Sequence, residues 1–324
     1  MHLAFALPPP AETGGGGGAV YIDGLAGGLR SIGVEVDVLV GDDPVFPAGS
    51  IAVVDGMLLP RLQHRIDELT EIDAVALIHH IAAAASRDEP SRSQTLALER
   101  SMLLRLSRIV ATSTPVAARL AEEFGITAHP IPPGRRDAAP ATPDPKMPII
   151  LSVGVLTRRK GHDRLIQAAA RLLDLPWHLV IAGDTQRDPA HPAELQALAD
   201  ELGIADRVSI LMDPASDRLE AEWSRATVFA LATRWEGYPA AIAEALERGI
   251  PCLTTSGANA DAILPVTAGA ICALNDVATF GKCLRRLLFD AGLQAEMASA
   301  ARSASEAIPR WTDRAHEFIN FLDQ

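Results

Sequence analysis

Two doubly wound α/β units, each a parallel sheet with helices on both faces, are what this sequence predicts. Three observations lead there. Short apolar runs alternate with helical patterns through residues 1–131, a stretch rich in proline and charge follows at residues 132–147, and the alternation then restarts and runs to residue 308. Strands separated by helical stretches argue for parallel pairing, because a parallel strand needs a crossover that a helix supplies. The chain of 324 residues also has the length for two cores, at about 150 residues each.

In the first half, His2–Leu7 reads as a strand. The glycine run Gly14–Gly18 leads into a helix over Ala19–Ser31. Val34–Val40 and Ser50–Val54 read as strands, Arg61–Glu68 as a helix, and Ala74–Ile78 as a strand that ends at His79-His80. A helix over Arg92–Leu106, a strand at Ile109–Thr112, a helix over Pro115–Phe124 and a strand at Ala128–Ile131 complete the half. The segment PPGRRDAAPATPDPK then has the composition of an interdomain linker.

In the second half, strands are expected at Pro148–Val153, His178–Ala182, Val208–Leu211, Thr227–Ala230, Pro251–Thr254 and Ala270–Ala273. Helices are expected over Gly161–Leu173, Pro192–Leu202, Leu219–Trp223, Pro239–Arg248, Val277–Phe289 and Leu293–Ala307. Residues 309–324 hold one more helix, Trp311–Leu322, expected to cross back to the first half. Two such units bring the carboxyl ends of their strands to a cleft, where ligands of doubly wound folds bind.

Composition limits the function. The net charge of -12 argues against nucleic acid and anionic membranes as partners, so an anionic ligand needs a local site. Aromatic residues make up only 4%, which leaves little for base-stacking platforms. Cys252, Cys272 and Cys283 form no CxxC pair, as suits a reducing cytoplasm. MHLAFALPPP is too short and too poor in basic residues for a signal peptide, and no apolar run reaches a membrane-spanning length. A cytoplasmic protein without an integral membrane segment is the expectation.

The segment with the most chemistry is Arg234-Trp-Glu-Gly-Tyr-Pro-Ala-Ala-Ile-Ala-Glu244, which follows a strand. Pro239 suits the first helical position, and Gly249 with Pro251 suits the helix end. The small residues Gly237, Ala240 and Ala241 let an anion approach free N–H groups at the helix start. Glu236 in the loop and Glu244 inside the helix frame this place, and a carboxylate accepts hydrogen bonds from paired hydroxyls such as those of a sugar or ribose. Glu244 would face water if it were an ordinary helix glutamate. Glu99 and Thr112-Ser113 read as a helix-face charge and a helix cap.

Glu236 and Glu244, with seven residues between them, resemble the E-x7-E signature of retaining glycosyltransferase family 4, which has the GT-B fold of two Rossmann-like domains. Ser152-Val-Gly-Val-Leu-Thr-Arg-Arg-Lys160-Gly161, followed by His-Asp-Arg-Leu-Ile-Gln-Ala168, is similar to that family's strand, loop and KG-bearing helix. Gly17-Gly18 resembles its diglycine loop beneath the donor phosphates, and the resemblance runs on to the Trp311 helix. The glycine run also carries a loose G-x-G-x-x-A pattern, which any such run contains.

The resemblance implies a nucleotide-diphosphate sugar as donor, an acceptor of unstated identity, no cofactor and no metal. Lys160 would neutralise the pyrophosphate, Glu236 would contact the transferred sugar, and Glu244 the ribose hydroxyls. Gly17, Gly18, Gly237, Tyr238, Pro239 and Ala240 would line the donor. The family has an arginine after the glycine equivalent to Gly154; here Val155 stands there, and Arg159, with Arg158 as second choice, is the substitute cation. His79 resembles the family's N-domain histidine near the reacting sugar, with the adjacent His80 as the alternative. Three other readings share the architecture: an epimerase or phosphorylase, a non-catalytic nucleotide-sugar binding module, and a dinucleotide-dependent oxidoreductase. The last leaves Lys160, Glu236 and Glu244 without a role.

Overall fold

Residues 1–9, 17–81 and 89–324 are described by the computed structural model. The chain divides into two compact units, one made of Met1–Gly134 with Pro309–Gln324 and the other of Arg135–Ile308. Residues 10–16, which include Gly14, Gly15 and Gly16 of the glycine run, lie outside the described residues.

The N-terminal unit runs β1 (His2–Leu7), α1 (Gly17–Ser31), β2 (Glu35–Val40), β3 (Ile51–Asp55), α2 (Ile66–Glu71), β4 (Val75–Ile78), α3 (Glu89–Leu103), β5 (Arg108–Ala111), α4 (Thr114–Phe124) and β6 (His129–Pro130). Its six strands are parallel in the order β2-β1-β3-β4-β5-β6. Continuous burial along β1, β3 and β4 follows from their central places, where helices cover both faces. At the edge, β2 buries only Val36 and exposes Glu35, Val38 and Val40. Ser113 caps α4 by accepting the Val116 N–H at 3.2 Å, and Gly125 ends it in the left-handed region at φ 70°.

The C-terminal unit runs β7 (Ile149–Val153), α5 (His162–Ala169), β8 (His178–Gly183), α6 (His191–Glu201), β9 (Val208–Met212), α7 (Ser216–Arg225), β10 (Val228–Leu231), α8 (Ala240–Glu247), β11 (Cys252–Thr255), β12 (Gly269–Cys272), α9 (Val277–Phe289) and α10 (Ala291–Glu306). Its strands are all parallel in the order β12-β11-β10-β7-β8-β9. Two cores cover the faces of this sheet. One is built on Leu165, Ile166 and Trp177, the other on Trp223, Phe229 and Leu246. The proline-rich stretch is laid along this unit: the Ala141 and Thr142 amides donate to Arg248 and Ser224 carbonyls at 2.9 and 2.7 Å.

The last helix, α11 (Trp311–Leu322), completes the core of the N-terminal unit with Ala315, Phe318 and Leu322 against Leu3, Phe5 and Leu25. Glycine makes this close approach possible. A Cβ on Gly24 would lie 2.2 Å from the Trp311 ring, and one on Gly28 would lie 2.4 Å from the Trp311 carbonyl oxygen. Tyr21 meets the Trp311 ring edge-on at 5.3 Å and donates its hydroxyl to the Ile131 carbonyl at 2.8 Å.

Candidate functional site

In the C-terminal sheet, β7 connects to β8 on one side, while β10 lies on its other side. The strand order therefore reverses between β7 and β10, and loops after these two strands part to leave a crevice at their carboxyl ends. The β7 loop carries Gly154 to Gly161, and the β10 loop carries Thr233 to Pro239. The sequence thus puts its basic turn, Arg158–Lys160, and its acidic loop, around Glu236, at the place where this topology binds ligands.

These side chains meet. Lys160 Nζ is 2.7 Å from Glu236 Oε1, and Arg159 Nη1 is 3.0 Å from Glu236 Oε2. Thr233 donates its hydroxyl to Glu236 Oε1 at 2.9 Å. The side chain of Glu236 is 7% exposed and that of Lys160 13%, whereas Arg159 reaches solvent at 39%. Burial by itself would raise the Glu236 carboxyl, but the charges of Lys160 and Arg159 outweigh it and hold the group below the ordinary glutamate range. Burial draws the Lys160 ammonium below the ordinary lysine value, against the pull of Glu236.

The backbone fixes this cluster from below. The Glu236 N–H donates to Gly257 O at 2.8 Å, and the Asn259 amide donates to Glu236 O. Asn259 itself is left-handed at φ 51°. The Arg234 N–H reaches the Arg159 carbonyl at 2.8 Å, which ties the two loops together, and the Arg234 guanidinium pairs with Asp163 at 2.8 Å. Gly154 leaves room for the lysine, since a Cβ there would lie 3.0 Å from Lys160 Cε.

Helix α8 begins after Pro239, which takes the N-cap position rather than the first turn. Gly237 and Pro239 are buried, Tyr238 and Ala240 half-buried, and the Ala240 N–H is engaged by the Tyr238 carbonyl at 3.0 Å. Glu244 lies on α8, half-buried, with no hydrogen bond to its carboxylate among the described residues; burial pushes its pKa up. Arg158 points away to Glu194 at 2.5 Å, and Val155 is half-buried in the β7 loop. Of the two arginines, Arg159 is therefore the one in the cluster.

In the N-terminal unit the strand order reverses between β1 and β3. His79, just beyond β4, has Nε2 3.4 Å from Asp55 Oδ2 at the end of β3. Its ring lies on Gly18, where a Cβ would come within 3.1 Å of Cδ2. Gly17 opens α1. Sequence reasoning joined Gly18 to phosphate contact and His79 to the sugar without seeing that one packs on the other. It missed Asp55, Thr233, Asn259 and the Arg234–Asp163 pair. Only the strand-end position of Asp55 could have signalled any of them.

His162 is a residue the motif hid. It is 0% exposed, two residues after Lys160, and neither ring nitrogen has a hydrogen-bond partner among the described residues. Burial, aided by the charge of Lys160, lowers its pKa from 6.5 to about 3. The unfolded chain therefore takes up a proton between pH 6.5 and 3 that the folded chain refuses, so this contribution to stability is complete above pH 6.5 and is lost as pH falls. The expected slope is about 1.4 kcal/mol per pH unit within that window. Glu247, raised to about 7 chiefly by burial, acts in the opposite sense. The difference between wild type and His162→Leu isolates the histidine. The variant should match or exceed wild-type stability at pH 7 and gain on it steadily toward pH 5 in urea titrations. Parallel curves at pH 7 and 5 would refute the assignment.

The family model of glycosyl transferases group 1 matches residues 135–304, that is, nearly all of the C-terminal unit with its Lys160–Glu236 cluster. The chain belongs to that family. Among curated relatives of this group 1 chain is the D-inositol 3-phosphate glycosyltransferase of Xylanimonas cellulosilytica, 31% identical over 179 residues, covering 55% of this chain and 42% of the relative. Another is D-inositol 3-phosphate glycosyltransferase 1 of Catenulispora acidiphila, 30% identical over 260 residues, covering 71% and 62%. The chain thus spans 42% to 62% of the length of these two relatives.

Solved structures share the fold over essentially the whole chain. Sucrose-phosphate synthase of Thermosynechococcus elongatus superposes with a TM-score of 0.83 at 18% identity, covering 99% of this chain and 98% of that one. HepE of Anabaena, solved with UDP and glucose, gives 0.79 at 14% identity and covers 99% of each chain. The two-sheet architecture of this group 1 chain is the GT-B fold. Among the described residues no helix is long and apolar enough to cross a membrane.

Proposed function

We propose that this chain is a retaining, metal-independent glycosyltransferase that moves a sugar from a nucleotide-diphosphate sugar to an acceptor. One observation carries the reading: a buried lysine and an arginine converge on a buried glutamate at the strand-order reversal of the C-terminal sheet. Transfer breaks the bond between the anomeric carbon and the donor phosphate. Positive charge grows on the sugar ring and negative charge on the departing diphosphate. A lysine held in a dry site stabilises that leaving charge strongly, because little solvent screens it and no reorganisation is needed.

In this reading Lys160 meets the pyrophosphate, and Arg159 adds the charge that Val155 lacks. Glu236, as the first acid of an E-x7-E pair, faces the transferred sugar. Glu244, whose carboxylate has no protein hydrogen bond among the described residues, takes the ribose hydroxyls. Gly237, Tyr238, Pro239 and Ala240 line the donor, with Gly17 and Gly18 beneath its phosphates, and His79 bonds a sugar hydroxyl. No cofactor takes part, and the compartment is the cytoplasm. The acceptor attacks from the face that the diphosphate leaves, so anomeric configuration is kept without a covalent enzyme intermediate.

The test is a thermal-shift screen of UDP, GDP, ADP and their common sugars, followed by turnover with any that bind. A ligand at 100 times its Kd adds roughly 2.7 kcal/mol to stability. UDP comes first because it is the nucleotide bound in the HepE structure, and D-inositol 3-phosphate is the first acceptor because the curated relatives are named for it. The expected result is release of nucleoside diphosphate only when acceptor is present, unchanged by EDTA, with the donor's anomeric configuration kept in the product. Binding of a nucleotide sugar with no turnover across acceptors would turn the reading toward a non-catalytic binding module. No thermal shift with any nucleotide would remove the donor site.

A further inference from the structure

Asp55 is a buried carboxylate, 2% exposed, at the end of a central strand of the N-terminal sheet. Its Oδ1 accepts the Met57 N–H at 2.8 Å, which leaves Oδ2 facing His79 Nε2 at 3.4 Å. Isolated ionised carboxylates are rarely tolerated in such surroundings without a partner of opposite charge or a donor. Burial would keep the acid protonated, yet His79 reverses that and holds Asp55 below the ordinary aspartate range. Nε2 is itself buried and makes no hydrogen bond among the described residues at the present geometry.

The ring is confined on its other sides too. Gly18 lies against Cδ2, and Tyr21 meets the imidazole edge-on at 5.3 Å while its own hydroxyl is tied to Ile131. A ring so enclosed cannot turn freely, and the 3.4 Å separation is of the kind that tightens in a substrate complex. We propose that Asp55 is a positioning residue: its Oδ2 accepts the Nε2 proton of His79, so that the neutral ring carries its lone pair on Nδ1 and accepts a hydroxyl hydrogen from the transferred sugar. This rests on the glycosyl-transfer reading above, since that reading supplies the sugar.

Asp55→Asn separates positioning from a purely structural role. The amide oxygen keeps the bond from Met57, but the amide NH2 donates to Nε2, so the ring proton moves to Nδ1 and the acceptor there is lost. The measurement is the 15N pattern of the His79 ring, assigned by its loss in His79→Gln, together with kcat and donor KM. Wild type is expected in the Nε2–H form and Asp55→Asn in the Nδ1–H form. The variant's kcat should fall about 100-fold, the size of loss that a misplacement of about 1 Å can cause, with donor KM changed little. An Nδ1–H ring in wild type overturns the proposal, and that observation needs no variant to fold. So does an Asp55→Asn protein with an unaltered ring pattern or a wild-type kcat. If wild type shows the Nε2–H form yet transfers no sugar at all, the glycosyl-transfer reading fails and the Asp55–His79 pairing stands.

Discussion

Replacing Lys160 with alanine or methionine is expected to lower sugar transfer by about 10²–10³-fold, in kcat and kcat/KM together, the range seen when one preorganised donor to a developing anion is removed. The loss falls on kcat because the charge on the diphosphate grows as the anomeric bond breaks, so the ammonium interacts more strongly with the transition state than with bound donor. The same change should abolish most of the thermal shift produced by a nucleoside diphosphate. Lys160 is 2.7 Å from Glu236 Oε1, and its removal leaves a buried carboxylate with Arg159 and Thr233 for company. The ligand-free variant will therefore melt lower than wild type, because breaking a buried pair from one side costs about 3–5 kcal/mol when no second partner remains, and less here. The nucleotide shift must be measured from the variant's own melting point. A Lys160→Met protein that keeps both the shift and turnover within a few-fold of wild type would sink the assignment.

The second large effect is on folding. Gly161→Ala should destabilise the C-terminal unit by at least about 3 kcal/mol, the sum of a left-handed residue with a side chain and a backbone collision. Gly161 sits at φ 69°, and a Cβ there would lie 2.0 Å from the Ala232 carbonyl oxygen. The carbonyl belongs to the chain entering the β10 loop, so it can retreat only by pulling Thr233 and Glu236 away from Lys160. Gly203 provides the control. It has the same conformation, φ 68°, with nothing within 4 Å of the added atom. Gly203→Ala should lose only about 1–2 kcal/mol. Urea midpoints of the two variants measured side by side decide it: equal losses would mean that the loop yields and that Gly161 is there for its φ alone.

Gly161 also illustrates how far the sequence carried. The glycine after Lys160 is visible as part of a motif, and its motif places it at a helix start. That its α-hydrogen faces the Ala232 carbonyl, a residue 71 positions away in sequence, comes from the pairing of β7 with β10. The elements themselves were largely legible, because apolar runs and helical periods report burial on one face or both. Their ends shifted where propensity and packing disagree. The helix expected over Gly161–Leu173 is α-helical only to Ala169 and finishes as a 3-10 turn, while Leu219–Trp223 is the middle of a longer helix, Ser216–Arg225.

By itself the sequence determined the class of fold, the two runs of βα alternation, and the positions of His79 at a strand end, Lys160 and Glu236 in loops that follow strands, and Glu244 within a helix. These are local properties, written in periodicity, in glycine and proline, and in short motifs. Tertiary structure decided which of those residues touch. It brought Arg159 rather than Arg158 to Glu236, set Thr233 and Asn259 beneath that glutamate, buried His162 with no hydrogen-bond partner among the described residues, and placed Asp55 behind His79. The physical reason is the parallel sheet. Strands adjacent in space are separated by whole helices in the chain, so the order of strands, which no short window of sequence contains, selects the loops that meet at each point of reversal.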